Sequence, residues 1–102
     1  MTRGEIWWCE HPTAGRRPFL ILSRAEAVPV LAAVLAVPAT TTVRGIPTEV
    51  PLGRADGMPR DCVLSVDNVA TIRKSHCVER ITKLSPEKMS AVCDALRFAT
   101  AC

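Results

Sequence analysis

Arg80-Ile81-Thr82-Lys83-Leu84-Ser85-Pro86-Glu87-Lys88-Met89 is the stretch in which the chain changes its period. Arg80 to Leu84 alternates apolar and polar residues and predicts a short strand. Ser85 then offers an N-cap hydroxyl. Pro86 occupies a first helical position, where a missing N–H costs nothing. Glu87 suits the positive end of the helix dipole. Met89, Val92, Cys93, Leu96 and Ala99 follow at helical spacing, giving one apolar stripe for a core or a partner. No segment upstream gives as clear a helix.

Working back from this junction, the pattern is one of strands. Cys62 to Val66 predicts a strand, interrupted at Asp67-Asn68 and resumed over Val69 to Ile72. Ser75 to Glu79 has room for one helical turn. Thr48 to Leu52 alternates as a strand, and Gly53 to Asp61 is a loop by its Gly, Asp and Pro content. Thr40-Thr41-Thr42-Val43-Arg44-Gly45 is polar and basic, a loop or an edge. Val30 to Thr40 is a long apolar run. Its valines suit a central strand and its alanines would equally suit a helix. Pro38, which cannot donate to a ladder, predicts an edge or a bulge there. Arg24 to Pro29 stays open between loop and short helix. Pro18 to Ser23 reads as a buried strand behind Arg16 and Arg17, His11 to Gly15 as a turn, and Gly4 to Glu10 as the first strand. Many strands followed by one terminal helix predict a mainly β, α+β fold. Its expected form is a compact antiparallel sheet, partly rolled into a barrel, with the helix packed on it.

The 102 residues suffice for one domain and one core, expected to span residues 1–102. A hydrophobic fraction of 48% and a charged fraction of 23% exclude a disordered chain. Pro29 to Ala39 is too short to cross a bilayer, and Met1 to Glu5 does not open like a signal peptide, so a cytoplasmic protein with no membrane partner is expected. The net charge of +3 is only mildly basic and does not by itself argue for nucleic acid. The five cysteines, Cys9, Cys62, Cys77, Cys93 and Cys102, include no C-x-x-C pair, so free thiols are expected, with neither metal nor cofactor.

Two features carry possible chemistry. Arg17 stands directly before a buried strand, where its guanidinium can project while its backbone is held. Arginine's planar fork binds two phosphate oxygens at once. Thr40-Thr41-Thr42 closes an apolar run, and hydroxyls there can donate to a phosphate or orient a nucleophile. Taken singly, both also read as ordinary surface. Trp7 and Trp8 point to opposite faces of a strand. One is then a core residue and the other either a partly covered structural residue or a base-stacking surface. His11 and His76 have no partner at useful spacing and do not read as general bases.

The order of segments adds to this. Arg3-Gly4-Glu5-Ile6-Trp7 resembles the first strand of MazF/PemK toxins. Arg17-Pro18-Phe19-Leu20-Ile21-Leu22-Ser23 resembles their R-P-hydrophobic second strand, and Val37-Pro38-Ala39-Thr40 the strand that ends in a functional Thr. Ile46-Pro47-Thr48-Glu49-Val50, Cys62 through Ile72, and Arg80 through Ser85 with the final helix follow in the family's order. The resemblance spans nearly the whole chain. It implies a small antiparallel Src-homology-3-like barrel with a C-terminal helix. It also implies a metal-independent endoribonuclease that cuts single-stranded RNA selectively, leaving a 2′,3′-cyclic phosphate and a 5′-hydroxyl. Such a toxin acts as a homodimer and is blocked by a cognate antitoxin. Carried over residue by residue, the catalytic pair is Arg17 and Thr40. Thr41, Thr48, Glu49 and Asn68 are the candidate RNA contacts. The segment His11 to Arg16 is shorter than in many relatives, and Asn68 stands where the family has Gln. Both differences bear on which RNA is cut. Two rival readings share the fold: a gyrase-poisoning toxin of the CcdB type, which needs neither Arg17 nor Thr40, and a non-catalytic RNA-binding or protein-interaction barrel.

Overall fold

The computed structural model describes residues 1–13 and 15–102; Ala14, inside the expected first turn, lies outside them. Among the described residues seven strands precede one helix: β1 (Glu5–His11), β2 (Gly15–Ile21), β3 (Ala33–Thr40), β4 (Glu49–Leu52), β5 (Cys62–Ser65), β6 (Ala70–Arg73), β7 (Cys77–Lys83) and α1 (Pro86–Thr100). The strands pair antiparallel in the order β4-β5-β3-β2-β1-β7, with β6 also on β3. This is the small antiparallel barrel with a C-terminal helix that the sequence predicts.

The apolar run after Val30 resolves as a strand, because β3 is the hub of the sheet. It pairs β2 along one edge, and β6 and then β5 along the other. Pro38 departs from its expected place at an edge or a bulge. It pairs with Phe19 inside the sheet. The β6 ladder ends at Ala36 and the β5 ladder begins at Ala39, so the missing N–H falls where β3 changes partners. Arg24 to Pro29 forms successive turns, with Ala27 N–H donating to the Arg24 carbonyl at 3.0 Å, and no helix.

Alternation divides the strands into two faces. One face holds the main core, in which Ile6, Leu20, Val37, Leu64, Val66 and Val92 are fully buried. The other carries a smaller cluster of Cys9, Ala36 and Ile72, with Trp7, Phe19 and Cys77 packed on it. The helix starts as the sequence predicts: Ser85 Oγ accepts from Lys88 N–H at 3.2 Å. Its buried face is turned slightly from the expected stripe. Val92 and Ala95 are buried, whereas Cys93 is half-buried beside Arg3 and Ala99 is exposed.

Two elements near the end differ from expectation. The helical turn expected over Ser75 to Glu79 is instead a 3-10 turn at Lys74–His76, and β7 begins already at Cys77. The strand is largely exposed, so pairing with β1 rather than apolar alternation fixes it. The barrel seam between the β4–β5 connection and β7 is closed by side chains. Thr82 Oγ1 of β7 donates to the Asp56 carbonyl at 3.0 Å. Lys88 Nζ, from α1, ties the helix to β4 by donating to the Pro51 carbonyl at 2.6 Å. Gly57 sits against this seam with φ +92°, and a Cβ there would fall 2.7 Å from Thr82 Cβ.

Candidate functional site

The β2–β3 ladder runs Ile21↔Ala36, Leu20↔Val37, Phe19↔Pro38. Extended by one more two-residue step, the same register sets Arg17 opposite Thr40. Alternation then fixes which way the two residues face. Leu20, Val37 and Ala39 point into the main core, while Arg17, Phe19, Pro38 and Thr40 share the outer face. Arg17 and Thr40 both line a cavity of about 190 Å³, with Thr42, Arg44, Glu49 and Asn68 around it. The structure therefore brings together the two residues that the resemblance paired.

Local hydrogen bonds hold this cavity in shape. Thr40 Oγ1 accepts from Thr42 N–H at 3.1 Å. One lone pair is thus occupied, and the hydroxyl proton remains to be donated. The Glu49 carboxylate accepts from Gly45 N–H at 2.8 Å and from Arg44 N–H at 3.0 Å. It ties down the loop that presents the Arg44 side chain. Asn68 Nδ2 donates to Ser65 Oγ at 2.7 Å, which orients the amide at the rim. Two guanidinium groups, a hydroxyl donor and a carboxylate already engaged by backbone N–H groups make a receptor for an anion such as a phosphodiester.

Two further depressions adjoin this one. A cavity of about 340 Å³ shares Arg17, Pro38 and Asn68 and extends along His11, Phe19 and Thr71. A third, of about 400 Å³, shares Thr40 and is lined by Trp8, Pro18, Thr41, Met58 and Arg60. Arg17 therefore borders both the central cavity and the Phe19 depression, and Thr40 both the central cavity and the Trp8 depression. Trp8 carries the Arg16 guanidinium 5.1 Å from its ring centroid, a cation–π contact. Trp7 turns to the other face, where its Nε1 donates to Glu5 at 3.1 Å.

The other nominated residues separate. Thr41 faces the Trp8 depression and is not among the residues around Arg17. Glu49 borders the central cavity, yet its carboxylate serves the backbone of its own loop. Thr48 does not reach the groove. It is 6% exposed, and its hydroxyl donates to Asp67 Oδ2 at 2.6 Å, a strut between the start of β4 and the turn after β5. Sequence reasoning passed over Arg44 and Arg60 as groove residues. Arg44 had a signal in its place beside the Thr run and Gly45; Arg60, inside a long loop, had none. Among the described residues no cluster of His, Cys, Asp and Glu is arranged to hold a metal ion, and no helix is long and apolar enough to cross a membrane.

Comparison with known proteins agrees with this architecture. The sequence profile of the family described as "PemK-like, MazF-like toxin of type II toxin-antitoxin system" matches residues 2–100. A Mycobacterium tuberculosis protein named probable endoribonuclease MazF5 is 42% identical over 101 residues, covering 98% of this chain and 93% of its own. The solved structure of Mycobacterium tuberculosis toxin MazF-mt6 matches with TM-score 0.88 at 34% identity, over 95% of this chain and 96% of its own. An endoribonuclease in complex with its cognate antitoxin from a mycobacterial species matches with TM-score 0.89 at 32% identity, over 99% of this chain and 95% of its own. With its seven antiparallel strands, its terminal helix and nearly its full length matched, this chain belongs to the PemK-like, MazF-like toxin family of type II toxin–antitoxin systems.

Proposed function

We propose that the chain is a sequence-selective endoribonuclease acting on single-stranded RNA without a metal ion. The observation that carries this reading is the meeting of Arg17 and Thr40, from adjacent strands, in one cationic cavity. The names of its relatives support the reaction class.

RNA supplies its own nucleophile. When the strand is bent so that a ribose 2′-hydroxyl lies in line with the neighbouring phosphorus, attack forms a five-coordinate phosphorane. The 5′-oxygen then leaves. The products are a 2′,3′-cyclic phosphate and a 5′-hydroxyl, the 2′-proton passing to water and the leaving oxygen taking one from water. The chain's part is alignment and charge. Arg17 pairs with the non-bridging oxygens as their charge grows, and the Thr40 hydroxyl donates to the same group. Arg44 and Arg60 hold flanking phosphates. Asn68 offers a base contact at the rim. None of these steps requires a Lewis acid.

The toxin acts in the cytoplasm as a homodimer and is neutralised by a cognate antitoxin. Exposed apolar residues, among them Val30 at 81%, Phe98 at 66% and Val43 at 63%, supply surface that associating chains cover. The neighbour solved with its antitoxin shows that this fold accepts such a partner.

The test is cleavage of a mixed-sequence single-stranded RNA in EDTA by the purified chain and by Arg17→Ala, with the ends identified. The native chain is expected to cut at a restricted set of sites, leaving cyclic-phosphate ends, and Arg17→Ala to cut at least a hundredfold more slowly. Equal cutting by both would remove Arg17 from the mechanism. No cutting of any RNA would favour a gyrase poison or a non-catalytic barrel.

A further inference from the structure

From the outer face of the sheet we infer a site that the cleavage reaction does not use: Cys9 and Cys77 form an oxidisable dithiol, which a peroxide converts to a disulfide across β1 and β7 within the folded chain. The two residues are partners in the β1–β7 register. Their Sγ atoms lie 2.7 Å apart, one thiol donating to the other. A disulfide needs about 2.05 Å, so a small approach of the two sulfurs completes the bond while the strands stay paired. Both belong to the smaller apolar cluster, away from the main core. None of the remaining cysteines has a sulfur partner of this kind among the described residues. Cys62 is buried, Cys93 lies beside Arg3, and Cys102 is exposed at the terminus.

The pair is also chemically divided. Cys9 is 2% exposed, whereas Cys77 is partly open to solvent. The hydrogen bond from Cys9 pulls the Cys77 thiol below its ordinary value against the opposing effect of burial. The same bond and burial push Cys9 up. Cys77 is therefore the attacking thiolate and Cys9 the resolving thiol. Cys77 sulfur displaces water from hydrogen peroxide and becomes a sulfenic acid. Cys9 sulfur then attacks it and releases a second water. Two thiols lose two electrons and two hydrogens in all, and one peroxide is reduced to two waters. Cys9 is also the β1 partner of Arg17, so the new bond stands directly across the ladder from the groove strand.

The experiment uses the full chain with Cys102→Ser, which prevents linkage between molecules and leaves four thiols of the original five. After hydrogen peroxide and quenching, denatured protein is expected to show two thiols, one intramolecular bond mapped to Cys9 and Cys77, and a melting temperature that falls on adding dithiothreitol. Cys77→Ser should keep its thiols through the same treatment. Cys9→Ala, checked for native circular dichroism, should instead trap a sulfenic acid at Cys77, captured by dimedone and formed more slowly because the activating hydrogen bond from Cys9 is gone. Four surviving thiols, a bond to Cys62 or Cys93, or a Cys9–Cys77 bond formed only in denaturant would each overturn the assignment.

Discussion

β3 offers two kinds of residue on one strand. Val37 and Ala39 are 0% and 3% exposed and belong to the main core. Pro38 and Thr40, alternating with them, line the groove beside Arg17. The difference shows that stability and chemistry are interleaved at a period of two, so a neighbouring substitution tests one without the other. The inward set is fixed by packing. The outward set is held by hydrogen bonds to loop backbone, through Thr42 and through Glu49.

The largest effect expected is on the inward side. Leu64, fully buried and opposite Ala39 in the ladder, should lose about 2–5 kcal/mol of stability as Leu64→Ala. Denaturant unfolding measures this, and cleavage per folded molecule should stay near native. Arg17→Ala on the outer face should do the reverse. It should add about 3 kcal/mol to the barrier with an unchanged unfolding midpoint. If both variants lose stability alike, the two faces are not separate.

Glu49 sits between these extremes. Glu49→Ala frees the backbone N–H groups of Arg44 and Gly45 but buries nothing unpaired. Its expected cost is about 1 kcal/mol, seen as a severalfold loss of cleavage at low substrate. A loss as large as that of Arg17→Ala would mean that the carboxylate itself meets RNA.

The smallest effect concerns Glu5, at the end of β1 far from the groove. Burial pushes its carboxyl up. The hydrogen bonds from Trp7 and from the Thr2 backbone, with the N-terminal ammonium and Arg80, outweigh that and hold it below the ordinary value of 4.5. A lowered value means the ionised form stabilises the fold. That contribution is complete above about pH 4.5 and disappears as the pH falls through the lowered value. Melting temperatures from pH 6 to pH 3 should therefore fall less steeply for Glu5→Gln than for the native chain.

The fold was legible where local chemistry and periodicity agree. Ser85, Pro86 and the stripe after them place α1, and the runs around Leu20 and Leu64 place β2 and β5. Legibility failed where tertiary contact decides. β7 carries exposed Val78 and Glu79, so only its pairing with β1 marks it as a strand from Cys77 onward. Pro38 looked like an edge residue because a sequence cannot show that a strand exchanges partners at one position. The site followed the same division. Arg17 and Thr40 could be named from their segments, but their meeting depends on the β2–β3 register, which no spacing encodes. Thr48 looked like its neighbour Glu49 and lies on the opposite face, its hydroxyl spent on Asp67. Arg60 reaches the groove only through the path of a loop.

Gly57 imposes a limit on how this toxin can vary. With a left-handed backbone and no room before Thr82, it admits no side chain without prising the 54–57 turn from the last strand. Most loop positions in a small barrel tolerate drift. This one does not, although it lines none of the cavities around Arg17 and Thr40. In a saturation library sorted for cleavage, position 57 should be as depleted of substitutions as the proposed catalytic position 17, the one because the architecture cannot shut, the other because the proposed phosphate contact is lost.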